Sequence, residues 1–213
     1  MFITANTDNV RIAASWDRAS AEHIVALSRY PAALIGDAQQ RMGVMTGEIR
    51  LVTPGLRLAG TVLPVLAREG DNLAIHRAVD DAQPGDVLVI NANGDTSRAV
   101  FGDILGEICV AKGIAGIVID GATRDVDELT AMKLPVFATG VTPAGPWKNG
   151  PGTIGYAVSC GHVVCHPGDA IFGDSDGIVV VARHELATIA AATEAQDAKE
   201  DDIRAEVRRV LGR

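Results

Sequence analysis

The chain has 213 residues, of which 47% are hydrophobic, 22% are charged and only 4% are aromatic, and its net charge is −8 at pH 7. This composition excludes a largely disordered chain, and the acidic balance argues against a nucleic-acid partner, because such binding normally needs a basic face. The length suits a single domain over residues 1–213 with a core of aliphatic side chains.

The cellular compartment is indicated by the N-terminal stretch and by the cysteines. The stretch has no basic leader followed by an apolar segment, and no part of the chain has the length and hydrophobicity needed to span a membrane. Cys109, Cys160 and Cys165 are an odd number of cysteines without a disulfide framework, which is typical of a reducing compartment. We therefore expect a cytoplasmic protein with neither a nucleic-acid nor a membrane partner.

The first half of the chain alternates between helical and strand-like spacing of its apolar residues. Two early helices should be separated at Pro31, because proline breaks a helix interior. Later runs rich in β-branched residues are typical of strands. The predicted elements are two helices within 19–42, strands at 49–53 and 57–66, a helix at 70–82 and a strand with a closing turn at 84–94.

A βαβ unit is predicted next. Asp103 stands where a helix N-cap belongs, and the helix that it opens should stop at Gly113. The apolar run Ala115–Ile119 then predicts a buried strand that ends in a turn at Asp120-Gly121. Because the helix leads away from the starting edge and the strand returns to it, the residues after the strand should lie beside Asp103.

The second half continues the alternation and then becomes rich in short strands. Its long loop is rich in glycine and proline, and loops of that length in compact domains are often functional. The predicted elements are a helix at 126–132, a strand at 135–141, the loop at 142–155, antiparallel strands within 156–186 and a charged helix at 185–213. The whole pattern predicts an α/β protein with a central mixed sheet.

Three polar residues, Asp103, Arg124 and Asp125, should converge at one edge of this sheet. Two carboxylates suit a hard divalent cation such as Mg²⁺, which prefers oxygen ligands and keeps several waters. An adjacent arginine suits a bidentate hold on a small carboxylate. A helix cap and a surface ion pair would explain the same residues. Convergence at a strand end beside a helix N-terminus favours a metal-assisted anion site.

Two other motifs have structural explanations. Residues 173–177 match the GxSxG pattern of hydrolases, but a strand follows them instead of the required helix, so a hairpin turn is favoured. Cys160, His162, Cys165 and His166 lie close together but lack the paired spacing of a zinc site, so we expect buried thiols and exposed histidines.

The spacing from Asp103 to the Arg124-Asp125 pair, with twenty residues between, resembles the D-X20-R-D signature of class II pyruvate aldolases of the 4-hydroxy-4-methyl-2-oxoglutarate aldolase type. These enzymes belong with the RraA-like proteins. The resemblance covers most of the chain, through the segments GDNLAIHRA, PGDVLVI, AKGIAGIVIDGATRDVDEL, GPWKNGPG and HPGDAIFGDSDGIVVV. It implies a single-domain, three-layer ββα sandwich, assembled as a homotrimer or a dimer of trimers, with Mg²⁺ or Mn²⁺ at subunit interfaces.

The resemblance also implies roles for the site residues. Asp125 would bind the metal directly and Asp103 through a water, while Arg124 would stabilise a pyruvate enolate. Aldolase members use a glutamate from the C-terminal helix of the adjacent subunit, and Glu200 is the best match by position. The substrate carboxylate would be held by backbone amides at the helix start, those of Gly102, Asp103, Ile104 and Leu105.

The implied function is a metal-dependent lyase that cleaves 4-hydroxy-2-oxo acids, of the 4-hydroxy-4-methyl-2-oxoglutarate or 4-carboxy-4-hydroxy-2-oxoadipate type, to pyruvate. Oxaloacetate decarboxylation should accompany it, since both reactions give the same enolate. The alternative is a non-catalytic RraA-type regulator that binds a ribonuclease or helicase. Regulator-type members generally lack the acid after the arginine, so Asp125 favours the catalytic branch. A quinone methyltransferase is disfavoured because no Gly-rich nucleotide loop is present.

Overall fold

The structure is a computed structural model that describes residues 7–212. Six helices and twelve strands lie within these residues. The helices are α1 (Ala21–Ser28), α2 (Ala32–Ala38), α3 (Leu73–Asp81), α4 (Asp103–Ala111), α5 (Val126–Ala131) and α6 (Leu186–Val210). The strands are β1 (Val10–Ile12), β2 (Arg50–Leu51), β3 (Leu58–Ala67), β4 (Asp86–Asn91), β5 (Ala99–Phe101), β6 (Gly116–Thr123), β7 (Val136–Val141), β8 (Gly152–Ile154), β9 (Val158–Cys160), β10 (Val163–Cys165), β11 (Ala170–Asp174) and β12 (Gly177–Val181).

Ten of these strands form one mixed sheet, and β9 and β10 form a separate antiparallel pair. The main path of the sheet is β1-β8-β3-β4-β6-β7-β2, with the β11-β12 hairpin joined to β3 and with β5 joined to β6. Strands β3, β4, β6 and β7 are parallel neighbours, as the alternating pattern predicts. Their carboxyl ends therefore meet at one edge of the sheet, where ligands of α/β proteins usually bind.

Both faces of the central strands are covered, which explains their continuous aliphatic runs. On one face, Leu88 and Ile117 pack in a cluster with Leu73 of α3 and Leu105 of α4. On the other face, Val87 and its neighbours pack with residues of the β9-β10 pair. Helices, main sheet and small sheet thus form the three layers of the expected ββα sandwich, and α1, α2 and α6 add a further core beside the β11-β12 hairpin.

Three local expectations were wrong or incomplete. The strand at 115–119 does not end in a turn at Asp120-Gly121; β6 continues to Thr123, with an irregular register between Ile119 and Ala122. Strand β5 was not predicted, and β8 lies within the predicted loop 142–155. Each of β5 and β8 is three residues long and is defined by pairing with distant strands, which local spacing cannot reveal.

Strand β1, three residues long and paired with β8, was also not predicted. The remaining elements agree with the sequence pattern to within a few residues. Pro31 separates α1 from α2, and α6 forms the charged C-terminal helix. Residues 173–177 form the expected hairpin turn between β11 and β12. Among the described residues, no helix combines the length and hydrophobicity needed to cross a bilayer.

Candidate active site

The site is built where β5 and β6 end side by side. These strands are parallel, and their register pairs Phe101 with Thr123. The carbonyl oxygen of Phe101 accepts hydrogen bonds from the backbone N–H of Arg124 (3.0 Å) and from the Thr123 hydroxyl (3.1 Å). Asp103 begins α4 two residues after this pair, and Arg124 and Asp125 follow it directly. The predicted convergence of the three residues is therefore confirmed. It results from the pairing of β5 with β6, a strand that the sequence did not predict.

Asp125 links the two segments through its carboxylate. Its Oδ2 accepts the backbone N–H of Asp103 at 3.1 Å and lies 3.2 Å from Nε of Arg124. The Asp125 backbone is left-handed, with φ 56° and ψ 44°, a conformation that aspartate tolerates better than most residues. The carboxylate is thereby fixed at the first turn of α4, where the helix dipole favours negative charge.

Gly102, and not Asp103, is the N-cap of α4, which corrects the sequence expectation. Asp103 is the first helical residue, and its Oδ1 accepts the backbone N–H of Ile104 at 2.7 Å. A Cβ atom at Gly102 would collide with the Asp125 carboxylate and would lie 3.1 Å from two side-chain atoms of Arg124. The close approach of Arg124 and Asp125 to the helix start therefore requires glycine at this position.

Gly102, Asp103 and Arg124 line a small cleft of about 80 Å³, and Asp125 lies behind them, in contact with Asp103 and Arg124 but not on the lining. Five of its lining residues are those predicted to bind substrate, namely Gly102, Asp103, Ile104, Leu105 and Arg124. The others are Asn72, His76, Ala99, Phe101, Pro146 and Lys148. The sequence pointed to loop 142–155 as functional. It offered no reason to select Asn72 or His76, because these residues line the cleft only through the way in which α3 packs against the loop.

The charge state of His76 is set by its surroundings. Burial lowers its pKa to about 4, and the nearby positive charge of Lys148 acts in the same direction, while Asp80 opposes the change. The imidazole is therefore neutral at physiological pH and able to donate or accept a hydrogen bond. With Arg124 and Lys148 as its only cationic lining residues within the described chain, the cleft is suited to anions.

Glu200 lies elsewhere in the described chain. It is on the C-terminal half of α6, does not line the cleft, and accepts a hydrogen bond from Arg204 at 2.6 Å. Any contribution from Glu200 to a site of this kind would have to come from another copy of the chain, as the resemblance implies.

The zinc alternative receives no support within residues 7–212. Cys160 and Cys165 are buried and His162 and His166 are exposed, as expected. No group of three or more histidine, cysteine or acidic side chains in this part of the chain could hold a metal ion. Asp103 and Asp125 are a pair of carboxylates, so a cation held by them would complete its shell with water and substrate oxygens.

Comparison with known proteins places this geometry in a family. The family model described as "RraA-like: Aldolase/RraA" matches residues 32–180. A relative from Halalkalibacterium halodurans, named "Putative 4-hydroxy-4-methyl-2-oxoglutarate aldolase", is 38% identical over 166 residues, which cover 78% of this chain and 79% of the relative.

Two solved structures are also similar. RraAS2 of Streptomyces coelicolor, described as an unusual member of the RNase ES inhibitor RraA family, has a TM-score of 0.79 and 27% identity, with 89% of this chain and all of that chain covered. A Geobacillus kaustophilus protein titled as an S-adenosylmethionine:2-dimethylmenaquinone methyltransferase has a TM-score of 0.66 and 30% identity, with 71% and 93% covered. Because the family model matches most of its length and a relative of the same family is 38% identical, the chain belongs to the RraA-like family.

Proposed function

We propose that this protein is a divalent-metal-dependent lyase that cleaves 4-hydroxy-2-oxo acids to pyruvate and also decarboxylates oxaloacetate. The observation that carries the proposal is the junction of Asp103, Arg124 and Asp125 at the N-terminus of α4, on the edge of a cleft. The name of the Halalkalibacterium halodurans relative supports the same class of reaction.

The donor atoms at the site fit Mg²⁺ or Mn²⁺. Oδ2 of Asp125 is engaged by Asp103 and Arg124, while Oδ1 accepts no hydrogen bond from a described residue. We propose that Asp125 binds the cation directly and that Asp103 binds it through a water. When bound, such a cation polarises the 2-keto oxygen of the substrate as a Lewis acid.

The residues of the chain then have distinct tasks. The first turn of α4, from Gly102 to Leu105, holds the substrate carboxylate through backbone N–H groups. Those of Asp103 and Ile104, which donate to Asp125 Oδ2 and Asp103 Oδ1, would have to share or exchange these partners with the substrate.

In aldol cleavage the 4-hydroxyl group gives its proton to a base, proposed to be Glu200 of a neighbouring copy, while the bond between C3 and C4 breaks. The electron pair of that bond moves to the 2-keto oxygen to give an enolate. Arg124 stabilises the developing negative charge. Protonation at C3 gives pyruvate, and loss of CO₂ from oxaloacetate passes through the same enolate.

The complete site is proposed to need a second subunit. Glu200 would reach the cleft of a neighbouring copy within a homotrimer or a dimer of trimers. The exposed half of α6 that carries Glu200 also presents Ile203 and Val207, which are 55% and 49% exposed. Apolar side chains at this helical spacing suit a surface that is covered on assembly.

A second candidate function is a non-catalytic regulator that binds a ribonuclease or helicase. It is favoured by the similarity to the Streptomyces coelicolor protein, which is described as belonging to a ribonuclease inhibitor family. The two candidates differ in the role of the Asp125 carboxylate. A lyase needs it to bind the metal, whereas a regulator that only docks on another protein needs no metal-dependent turnover.

The test is pyruvate release from 4-hydroxy-2-oxo acids and oxaloacetate, with and without EDTA. We expect EDTA to abolish release, Mg²⁺ or Mn²⁺ to restore it, and Asp125→Asn to be nearly inactive although folded. The asparagine variant keeps a side-chain oxygen to accept the N–H of Asp103, so circular dichroism and melting should change little. Undiminished turnover in chelator would overturn the metal-dependent mechanism.

A further inference from the structure

Two glycines flank the side chain of Arg124. A Cβ atom at Gly102, at the start of α4, would lie 3.1 Å from Cγ and Nε of Arg124, and a Cβ atom at Gly145, in loop 142–155, would lie 3.3 Å from its Nη1. Gly145 does not have a left-handed backbone, so this position depends on the missing side chain and not on conformational freedom. The guanidinium of Arg124 therefore lies against the loop backbone as well as against the helix start.

The ion pair with Asp125 holds only one part of this guanidinium. Nε of Arg124 lies 3.2 Å from Oδ2 of Asp125, and neither Nη1 nor Nη2 donates a hydrogen bond to another residue of the described chain. A long side chain held by one half-exposed ion pair keeps much of its rotamer freedom. The contact with Gly145 therefore supplies the second restriction on where the terminal nitrogens point.

Arg98 holds Gly145 in place. Its Nη1 donates a hydrogen bond to Gly145 O at 2.7 Å, and its guanidinium lies over the ring of Trp147, 4.5 Å from the ring centroid. Within residues 7–212, Gly145 O accepts no other hydrogen bond. The two contacts reach the loop on either side of Pro146, which lines the cleft. A hydrogen bond and a cation–π contact from one side chain thus fix the part of the loop that faces Arg124.

Arg98 is itself anchored on a rigid element. It directly precedes β5, the strand that ends at the site, and the N–H of Ala99 donates to Ala144 O at 2.8 Å. The stem of Arg98 passes close to Gly70, where a Cβ atom would lie 2.9 Å from Cδ of Arg98. The carbonyl of Gly70 in turn accepts the N–H of Trp147 at 2.8 Å. Arg98 therefore connects the strand that leads to the site with the loop that borders it.

We propose that Arg98 is a positioning residue for Arg124, acting through the backbone of Gly145. Arg98 does not line the cleft, so it has no contact with the substrate. This rests on the proposed function, in which Arg124 stabilises the enolate, and adds the residue that fixes the direction of its guanidinium. The orientation of Arg124 matters most when negative charge develops, so loss of Arg98 should lower kcat and change KM little.

The first experiment measures steady-state kinetics with oxaloacetate and with a 4-hydroxy-2-oxo acid. Arg98→Met should lower kcat by about 10- to 10²-fold, since a displacement of about 1 Å at a catalytic group can cost this much. Arg98→Lys should lose less, because its ammonium group can still donate to Gly145 O. Arg29→Met is the matched control, since Arg29 also stacks on an aromatic ring, that of Tyr30 at 4.8 Å, but does not line the cleft. An unchanged kcat in Arg98→Met, or a loss confined to KM, would overturn the proposal.

The second experiment is a double-mutant cycle. Arg98→Met combined with Arg124→Ala should be as active as Arg124→Ala alone, because a positioning residue contributes nothing once the residue that it positions is missing. Gly145→Ala approaches the same contact from the loop, since the added methyl group would press on Nη1 of Arg124, and its effect should also vanish in the Arg124→Ala background. Losses that multiply in the double variants would show that Arg98 supports only the fold of the loop.

NMR relaxation of the arginine Nε–H groups separates this inference from the proposed function, because it needs neither turnover nor a ligand. The Arg124 signal is identified by its absence in Arg124→Ala. Its order parameter should fall in Arg98→Met and stay at the wild-type value in Arg29→Met. An Arg124 side chain that is equally rigid in Arg98→Met and in the wild type would refute the positioning role, whatever the activity. A wild-type protein that cleaves neither substrate, together with a mobile Arg124 in Arg98→Met, would refute the proposed lyase alone.

Discussion

Arg124 lies between the carboxylate of Asp125 and the cleft, with a side chain that is 37% exposed. A guanidinium in this position offers further N–H groups to a substrate while Nε remains with Asp125. This arrangement fixes the direction of the planar group. A lysine at position 124 would keep the charge but would lose the fixed orientation.

We predict that Arg124→Ala lowers aldol cleavage and oxaloacetate decarboxylation together. Removing a donor from developing negative charge typically costs about 10²- to 10³-fold in kcat, and Arg124→Lys should recover little of it. Kinetics on both substrates and proton NMR of pyruvate in D₂O measure the effect. If decarboxylation and exchange continued at the native rate while cleavage was lost, Arg124 would only position the larger substrate and the common enolate would be refuted.

His76 connects the site to the stability of the fold. Its pKa is about 4 in the folded chain against 6.5 as its ordinary value. Between these two values the unfolded chain binds a proton that the folded chain does not bind. Folding stability should therefore fall as the pH drops from about 6.5 to about 4.

We predict that His76→Gln removes part of this acid sensitivity. Between pH 7 and pH 4.5 the unfolding free energy should decrease in both proteins. The decrease in His76→Gln should be smaller than that in the wild type by on the order of 2 kcal/mol. Urea unfolding at the two pH values provides the measurement, and His184→Gln, on the exposed surface, is the matched control. An identical pH dependence in wild type and His76→Gln would refute the lowered pKa.

At the scale of elements, α6 divides into two halves with different surroundings. Leu186, Ile189 and Thr193 are buried in the first half, against the core of α1 and α2. Residues 201–212 are all exposed. Truncation after Ala198 should therefore remove the exposed half while leaving the packed half in place.

We predict that this truncation lowers both the assembly state and the activity, because the removed segment carries Glu200 and the exposed apolar residues. Sedimentation velocity and pyruvate release are the two measurements. Glu200→Gln should keep the assembly but lower cleavage by about 10²-fold if the carboxylate transfers a proton. Glu206→Gln is a matched control, since both glutamates pair with an arginine of α6 at 2.6 Å. A truncated chain that stayed assembled and active would exclude α6 from the mechanism.

The elements also show what a single sequence could and could not predict here. Strong periodicity located α4, α6 and the buried parallel strands, because their burial pattern is local. Strand β5 and the position of Asn72 depend on pairing and packing with distant segments. The sequence therefore predicted the half of the cleft formed by Arg124 and the start of α4 and singled out loop 142–155, but it missed the contribution of α3.

At the scale of the whole molecule, each of the cysteines is enclosed by a core. Cys109 lies in the cluster between the sheet and α3 to α5, while Cys160 and Cys165 lie in the cluster under the small sheet. Burial raises the pKa of Cys109 and of Cys165 to about 12 and raises that of Cys160 well above its ordinary value. Thiolates are the reactive form, so all three thiols should be inert in the folded state.

We predict that the native protein does not react with a thiol reagent such as DTNB at pH 8 and that all three cysteines react in denaturant. Absorbance of the released thiolate follows the reaction. Ser159→Cys, which places a thiol at an exposed position of β9, provides the positive control. Rapid labelling of a native cysteine would indicate an opening of the corresponding core at low free-energy cost.

The left-handed backbone of Asp125 has a consequence for how the protein can change by mutation. A single base change in either aspartate codon gives asparagine or glycine, and both residues occupy the left-handed region readily. The carboxylate can thus be lost in one nucleotide step without strain on the backbone. A lineage that no longer needed the proposed reaction could lose this carboxylate and keep a folded protein whose role depends on its surface alone.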